Sequence, residues 1–321
     1  MKFIVFVNSN LEKGQPIYSR IKSFSDYFLS KGFGIDFSFK TILLDNTNYL
    51  LISMPPFRKF WLFFIPGLNI VLDIRDGWSI AQETGYGDIK RKKTFKAKIS
   101  RLIEKFAIRR SFLAITCTPG LQQYLSRVSG SELILIPNGI NDDDLDLINQ
   151  VKSHKKKYKD SDQVVFCCAG QFSEYGQDKV KKLLRIIASR YQYKKLVILL
   201  IGSNEDSNSW VEEFFSQLTS GNGEVKIIPR MHKKELYITM FNADYGLSII
   251  RDPDYELGTK VYDYIALGLP IVNYFDEPNN FTNYFDACLD VSFNKCAKIP
   301  EIRRSILIKS VLDGFFDKDY Q

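Results

Sequence analysis

Short runs of β-branched and aromatic residues alternate along the chain with longer segments in which apolar residues recur at helical spacing. Parallel strands need a crossover connection, usually a helix, so this alternation is typical of an α/β fold with parallel sheets. In the first half, the predicted strands are Lys2–Val7, Asp36–Phe39, Tyr49–Ser53, Ile70–Asp73, Leu113–Thr116 and Glu132–Ile136. The helices predicted between them are Ile17–Ser30, Lys92–Ile108 and Gly120–Arg127.

The second half of the chain repeats this alternation. Its predicted strands are Val164–Ala169, Leu196–Ile201, Val225–Ile228, Tyr245–Ile249 and Pro270–Val272. Its predicted helices are Lys179–Arg190, Trp210–Gln217, Lys233–Phe241 and Lys260–Leu267. A last segment of helical period, Ile299–Phe315, has no strand after it.

A polar stretch separates the two halves. An acidic run, Asp142–Asp146, and a lysine-rich segment, Lys152–Lys159, come before the next buried strand. We therefore predict two doubly wound, Rossmann-like domains, residues 1–150 and 151–298, with a C-terminal helix in 299–321 that packs back on the first domain. Ligands of open parallel sheets bind beyond the carboxyl ends of the strands, so we expect a site in a cleft between the domains.

The composition excludes several classes of protein. The 321 residues are 45% hydrophobic and 25% charged, which is typical of a globular chain. Five cysteines without a CxxC pair, and only two histidines, argue against a disulfide framework or a zinc centre. The N-terminal residues lack a signal-peptide pattern, and the apolar stretch Phe60–Leu72 is too short to span a bilayer. These features predict a cytoplasmic protein, at most peripheral on the inner face of the membrane.

Positive charge is concentrated in one segment. The net charge of +7 comes largely from residues 1–150, which carry 20 basic and 14 acidic side chains. Lys90–Arg110 contains ten basic residues and one acid, with apolar residues mostly at helical spacing. Such a helix is typical of binding to anionic lipid, which we favour over a core-packed helix with a solvated basic face. No nucleic-acid partner is expected, because the aromatic residues do not interleave with the cations as a stacking platform.

The segment 243–272 is the richest in candidate chemistry. It predicts a buried strand, a charged loop with Gly258, and a helix that begins near Thr259, which could cap it. Lys260 lies in the first turn, where a cation opposes the helix dipole, a placement that favours a bound anion nearby. Asp263 follows one turn later. The alternative is an ordinary surface ion pair between Lys260 and Asp263.

This segment resembles the donor-binding region of GT-B glycosyltransferases, in particular the retaining family-4 type. The resemblance implies that Asp263 holds the ribose hydroxyls of a nucleotide sugar and that Glu256 contacts its sugar. The family's spacing falls on Tyr255, so Glu256 is one residue out of register. The segments IPNGIN, VLDIRDGW and IIPRMHKKEL also resemble the family, and the last would bring the backbone near Arg230 to the nucleobase.

The same resemblance predicts cations that clamp a diphosphate. Glutamines stand where the family usually has its Arg and Lys, so other cations must compensate the phosphate charge. We favour Lys260 and Arg251, with Lys179 as the alternative, although each could be an ordinary surface charge. Gly14 and Gly170, each following the first strand of its domain, are predicted on the donor side.

The acceptor side is predicted in the first domain. Asp73, Arg75 and Asp76 follow one another at the end of a strand. A carboxylate there could deprotonate an acceptor hydroxyl, and Arg75 could hold an acceptor phosphate. The alternative is a structural Asp–Arg pair that holds the loop. The predicted catalytic residues are Asp76, Glu256 and Lys260.

Two acidic patterns imitate metal sites. Asp252–Asp254 resembles the metal-binding Asp-x-Asp of another glycosyltransferase fold, and Asn141–Asp146 lacks the glycine and closing glutamate of an EF-hand loop. We therefore expect no metal and no other cofactor.

Together these features predict a retaining glycosyltransferase that uses a UDP- or GDP-linked sugar. Its acceptor would be a growing glycan or a lipid-linked glycan at the cytoplasmic face of a membrane. Two alternatives stay open. One is a GT-B nucleotide-sugar epimerase or hydrolase, and the other is a non-catalytic subunit that scaffolds an active partner.

Overall fold

The computed structural model describes residues 3–7, 16–37, 48–54, 59–84, 94–154, 162–285 and 301–317. The chain divides into two compact units. The first comprises Met1–Asn141 and Arg303–Gln321, and the second comprises Asp142–Ile302. No helix among the described residues is both long enough and apolar enough to cross a bilayer.

The first unit is a six-stranded parallel sheet with helices, in the strand order β2-β1-β3-β4-β5-β6. Its strands are β1 (Phe3–Val7), β2 (Gly34–Asp36), β3 (Tyr49–Met54), β4 (Asn69–Ile74), β5 (Leu113–Thr116) and β6 (Ile134–Leu135). Its helices are α1 (Pro16–Ser30), α2 (Trp78–Thr84), α3 (Thr94–Arg110), α4 (Pro119–Ser129) and α12 (Arg304–Phe316).

The second unit is a five-stranded parallel sheet in the order β11-β10-β7-β8-β9. Its strands are β7 (Gln163–Ala169), β8 (Lys195–Ile201), β9 (Gly223–Ile228), β10 (Tyr245–Leu247) and β11 (Ile271–Val272). Its helices are α5 (Asp142–Lys152), α6 (Gln177–Arg190), α7 (Glu205–Asn208), α8 (Trp210–Leu218), α9 (Lys233–Asn242), α10 (Lys260–Leu267) and α11 (Asn280–Phe285). The predicted α/β class with two parallel sheets is confirmed.

The C-terminal helix α12 is part of the core of the first unit. Its residues Ile308, Leu312 and Phe316 are buried with side chains of α1 and the sheet. The Phe316 ring contacts the Phe28 ring at 5.0 Å between centroids and the Tyr49 ring at 5.2 Å. Each such buried side chain contributes about 1.5–3 kcal/mol to stability.

The second unit begins at Asp142, earlier than the predicted boundary at residue 150. The acidic run that suggested a linker is instead the first turn of α5, where negative side chains interact favourably with the helix dipole. Ile148 and Val151 of this helix are buried, and Lys152 Nζ donates a hydrogen bond to the carbonyl of Ala266 at 3.0 Å. The helix therefore packs within the second unit.

Several short helical elements are missing from the predicted set, among them α7, α11 and a 3-10 helix at Ser173–Tyr175. Part of the apolar stretch Phe60–Leu72 forms a 3-10 helix, Phe60–Phe64, and α2 follows β4 after a brief turn. Each is too short to show helical periodicity in the sequence. Strand β2 lies earlier than the predicted Asp36–Phe39, because Gly34–Asp36 is the segment that pairs with β1.

Candidate active site

Glycines end two neighbouring strands at the carboxyl edge of the second sheet. Gly170 follows β7 with φ 101°, and Gly202 follows β8 with φ 73°. Their amides donate to the carbonyls of Ile201 and Ile228 at 2.8 and 2.7 Å, so the sheet pattern continues into the loops. A Cβ added to Gly170 would meet no atom within 4 Å. Glycine is therefore required here for its backbone conformation rather than for lack of space.

Glu174 fastens the loop between β7 and α6. Its carboxylate accepts hydrogen bonds from the Phe172 amide at 2.7 Å, the Asn204 amide at 3.2 Å and the Asn208 side chain at 3.3 Å. Burial alone would raise the pKa of Glu174, but these hydrogen bonds lower it below the ordinary value. The loop that carries Gly170 is thereby held to the loop after β8. The sequence does not indicate this role, because Asn204 and Asn208 lie 30 and 34 residues from Glu174 along the chain.

Lys179 holds the loop between β10 and α10. Its ammonium donates to the carbonyls of Ile250, at 3.2 Å, and Arg251. The Tyr274 hydroxyl donates to the same Ile250 carbonyl at 2.6 Å. Burial lowers the pKa of Lys179, an effect that nearby carboxylates oppose. This geometry favours a positioning role for Lys179 over direct contact with phosphate.

Arg251 and Glu256 belong to that same loop. The Arg251 guanidinium lies over the Tyr175 ring, 4.9 Å from its centroid, and Glu256 Oε2 accepts the Arg251 amide at 3.2 Å. A guanidinium above an aromatic face is stabilised by the ring quadrupole. The structure thus brings together two predicted donor-site residues and one aromatic residue, Tyr175, that the sequence analysis missed.

The predicted cap of α10 is wrong. Thr259 has helical dihedral angles, φ −82° and ψ −30°, and its side chain makes no capping hydrogen bond. An N-cap residue normally has extended angles, and here the turn at Gly258, with φ 64°, already brings the chain into the helix at Thr259. Thr259 is exposed.

Lys260 and Asp263 form the ion pair that the sequence analysis left as an alternative. Lys260 Nζ lies 3.0 Å from Asp263 Oδ2, with the lysine side chain 40% exposed and the aspartate side chain 11% exposed. A cation in the first turn would ordinarily be unfavourable, and Asp263 compensates it. The pair still leaves the ammonium accessible at the carboxyl edge of the sheet.

Asp263 also lies in a cluster that the sequence did not connect. Tyr237, on α9, hydrogen-bonds to Asp263, and Lys233 on the same helix pairs with Asp144 of α5 at 2.7 Å. Burial raises the pKa of Asp263 and the Asp144 carboxylate raises it further, whereas Lys260 and Lys233 lower it. The cluster therefore exposes a nearly buried carboxylate to the charge of two cations, of which Lys260 is in direct contact.

Of the two remaining predicted donor-side residues, the structure describes Arg230 only. Arg230 is exposed and packs over Gly202, where an added Cβ would lie 3.2 Å from Arg230 Cγ. Gly14 lies outside the described residues.

In the first unit, Asp73 is a structural residue. It is fully buried and forms an ion pair with Arg20, whose Nη2 and Nε lie 2.7 and 3.0 Å from its two oxygens. Ser53 also donates to Asp73, at 3.1 Å, and receives a hydrogen bond from Arg75 Nε at 3.0 Å. The structural alternative for Asp73 is therefore favoured, with Arg20 as its partner in place of Arg75. Asp76, in the loop between β4 and α2, is exposed.

Comparison with solved structures identifies the fold. HepE from Anabaena, in complex with UDP, matches with a TM-score of 0.56 and 12% identity over 98% of this chain and 91% of that chain. An alpha-glucosyltransferase in complex with UDP-glucose and DNA matches with a TM-score of 0.50 and 13% identity over 85% and 79% of the two chains. The chain therefore has the GT-B fold of glycosyltransferases.

Sucrose-phosphate synthase from Thermosynechococcus elongatus matches with a TM-score of 0.48 and 15% identity, over 78% of this chain and only 58% of the synthase. No protein-family model and no curated protein sequence matches the chain.

Proposed function

We propose that this protein transfers a sugar from a UDP- or GDP-linked donor to a glycan or lipid-linked glycan, with retention at the anomeric carbon. The observation that carries this proposal is the likeness, over nearly the whole chain, to a GT-B structure that contains UDP. The polar groups at the carboxyl edge of the second sheet support it, because this edge is where open parallel sheets bind ligands.

Asp263 is proposed to hold the ribose of the donor. Its carboxylate is already fixed by Lys260 and Tyr237, so it can accept hydrogen bonds from a diol with little further ordering. The backbone near Arg230 would contact the nucleobase, and the open edge at Gly170 would admit the donor.

Lys260 and Arg251 are proposed to compensate the diphosphate. As the bond from the anomeric carbon to the phosphate oxygen breaks, the electron pair stays on the phosphate and its negative charge grows. Cations placed in advance stabilise that charge in the transition state. Glu256 would orient the sugar, and Thr259, at the start of α10, would lie beside the phosphates. No metal and no other cofactor takes part in this proposal.

Asp76 is proposed to accept the proton of the acceptor hydroxyl as the new glycosidic bond forms. Its exposure at the end of β4 supports this role, whereas Asp73 is occupied by Arg20. Arg75 would orient an acceptor phosphate. The basic segment Lys90–Arg110 supports a role in polysaccharide assembly at the cytoplasmic face of an anionic membrane. Nucleic acid is not proposed as a partner.

Calorimetric titration with UDP, GDP, ADP and CMP tests the donor site. A second experiment measures sugar transfer from labelled nucleotide sugars with and without a lipid-linked acceptor. We expect binding of UDP or GDP and acceptor-dependent transfer. Absence of binding to any nucleotide would contradict the proposal. Donor turnover without acceptor would favour an epimerase or hydrolase, and binding without turnover would favour a non-catalytic subunit.

A further inference from the structure

Helix α3 exposes three large apolar side chains and buries several small or polar ones. Phe95, Ile99 and Leu102 are 74, 43 and 66% exposed. The face packed into the unit carries Ala97, Ser100, Glu104, Ala107 and Ile108. An ordinary surface helix turns its large apolar residues inward. This helix therefore has an outward apolar stripe at helical spacing that the described residues of the unit leave largely exposed.

The 3-10 helix Phe60–Phe64 extends this stripe. Trp61 is 53% exposed and Phe64 is 62% exposed. The Phe64 ring stacks on the Phe106 ring of α3, with centroids 4.8 Å apart and planes 30° apart. Arg110 Nε donates to the carbonyl of Phe63 at 3.1 Å, which holds the two elements together. We call Trp61, Phe64, Phe95, Ile99 and Leu102 the apolar ridge.

Helix α3, which carries three residues of the apolar ridge, is also rich in cations. The six basic residues of α3 are Lys96, Lys98, Arg101, Lys105, Arg109 and Arg110. The acid of this helix, Glu104, is fully buried, where it accepts the amides of Trp78 and Ser79. The exposed part of α3 thus combines large apolar side chains with positive charge.

We propose that the apolar ridge inserts into an anionic lipid bilayer, with the cations of α3 held at the headgroups. Charge complementarity supports this occupant. An exposed Trp and aliphatic side chains on a surface that also carries basic residues suit the boundary of headgroups and acyl chains. A nucleic acid would leave Ile99 and Leu102 without a role, since aliphatic side chains offer no stacking face.

The surface also bears on the acceptor, a step that rests on the proposed function. Glu104 caps the start of α2 at Trp78, and only Gly77 separates Trp78 from Asp76 in the chain. The helix that enters the membrane therefore also holds the segment next to the proposed base. A lipid-linked acceptor would then reach Asp76 from the bilayer in which the ridge is seated.

The proposal is tested with the full chain and vesicles of phosphatidylcholine, with or without phosphatidylglycerol. We expect flotation only with the anionic vesicles, and quenching of Trp61 fluorescence by lipids brominated on the acyl chains, lost in Trp61→Phe. Because apolar insertion adds to electrostatic attraction, part of the binding should withstand about 0.5 M salt, where the Debye length is only several ångströms.

Matched variants separate insertion from charge and from folding. Ile99→Ser with Leu102→Ser should weaken vesicle binding at least about tenfold. Ile306→Ser is the control, since Ile306 has a similar exposure, 41%, on α12 of the same unit. Lys96→Glu with Lys98→Glu should abolish the preference for anionic vesicles. All these positions are exposed, so circular dichroism should be unchanged.

Three results would overturn the proposal: vesicle binding by the ridge variant equal to that of the wild type, no vesicle binding by the wild type, or a ridge-dependent dimer without lipid affinity. Nucleotide titration of the same proteins keeps the two proposals apart. If the ridge variant loses vesicle binding but still binds nucleotide, the ridge acts separately from the donor site. If the wild type binds vesicles but no nucleotide, only the proposed donor site is contradicted.

Discussion

Glu104 Oε1 accepts the backbone amide of Trp78 at 2.7 Å, so a side chain of α3 caps the first turn of α2. The Ser79 amide donates to the same oxygen at 3.1 Å. A carboxylate that bonds the first amides of a helix satisfies donors that the helix cannot satisfy itself. Burial raises the pKa of Glu104, although these hydrogen bonds and the charge of Arg101 oppose the rise.

Glu104 should make part of the stability depend on pH. Its pKa is higher in the folded protein than in the unfolded chain, so the folded state binds more protons between those two values. This contribution therefore increases stability as the pH falls through that range and is lost as the pH rises through the folded pKa. Urea unfolding of wild type and Glu104→Gln at several pH values measures it. A difference between the two proteins that does not change with pH would contradict the prediction.

Removing one partner of the Arg20–Asp73 pair should be strongly destabilising. Both side chains are buried, and Arg20→Met leaves the Asp73 carboxylate without its cation. The expected loss in the free energy of unfolding is about 3–5 kcal/mol. Adding Asp73→Leu should restore part of it, because no buried charge is then left. Arg127→Met, at an exposed arginine of the same unit, is the control and should change stability little.

Asp263→Ala should weaken nucleotide binding. A hydrogen bond to a charged group contributes about 1.5–3 kcal/mol, so we expect a loss of roughly tenfold to more than a hundredfold in affinity by calorimetry. Asp178→Ala is the matched control, since Asp178 is also an aspartate in the first turn of a helix of the second unit. Equal affinities of a folded Asp263→Ala protein and the wild type would remove Asp263 from the site.

Substitution of Lys260 and substitution of Lys179 should have different effects on the protein. Lys260→Met is expected to lower turnover more than donor affinity, because phosphate charge grows in the transition state. Lys179→Met releases the carbonyls of Ile250 and Arg251, so it should lower thermal stability as well as donor affinity. Lys234→Met, at an exposed lysine in the first turn of α9, serves as the control. Wild-type kinetics in Lys260→Met together with inactivity in Arg251→Met would assign the phosphate contact to Arg251.

Two glycine-to-alanine substitutions should change the free energy of unfolding in opposite directions. A Cβ on Gly246 would lie 2.7 Å from the Tyr264 ring, so Gly246→Ala should cost about 1–3 kcal/mol through overpacking. A Cβ on Gly314, inside α12, would meet no atom within 4 Å. Gly314→Ala should therefore stabilise the protein by up to about 1 kcal/mol, because alanine has the higher helix propensity. Urea unfolding measures both, and a loss of stability in Gly314→Ala would contradict the second expectation.

The sequence by itself determined the alternation of strands and helices. Leu113–Thr116 and Lys260–Leu267 have the predicted bounds, because a buried parallel strand and a helix that ends at a glycine leave local patterns. The α/β class and the GT-B resemblance follow from such local patterns and their order along the chain.

Only the tertiary structure decided which groups meet. Asp73 is paired with Arg20 across 53 residues, and Glu174 is bonded to Asn204 across a strand and a helix. The faces of α3 were decided in the same way: the small residues Ala97 and Ala107 allow close packing within the unit, so the large apolar side chains remain outside. Hydrophobic periodicity shows that a helix has two faces, but which face is buried depends on the shape of its neighbours, and no local pattern contains that shape.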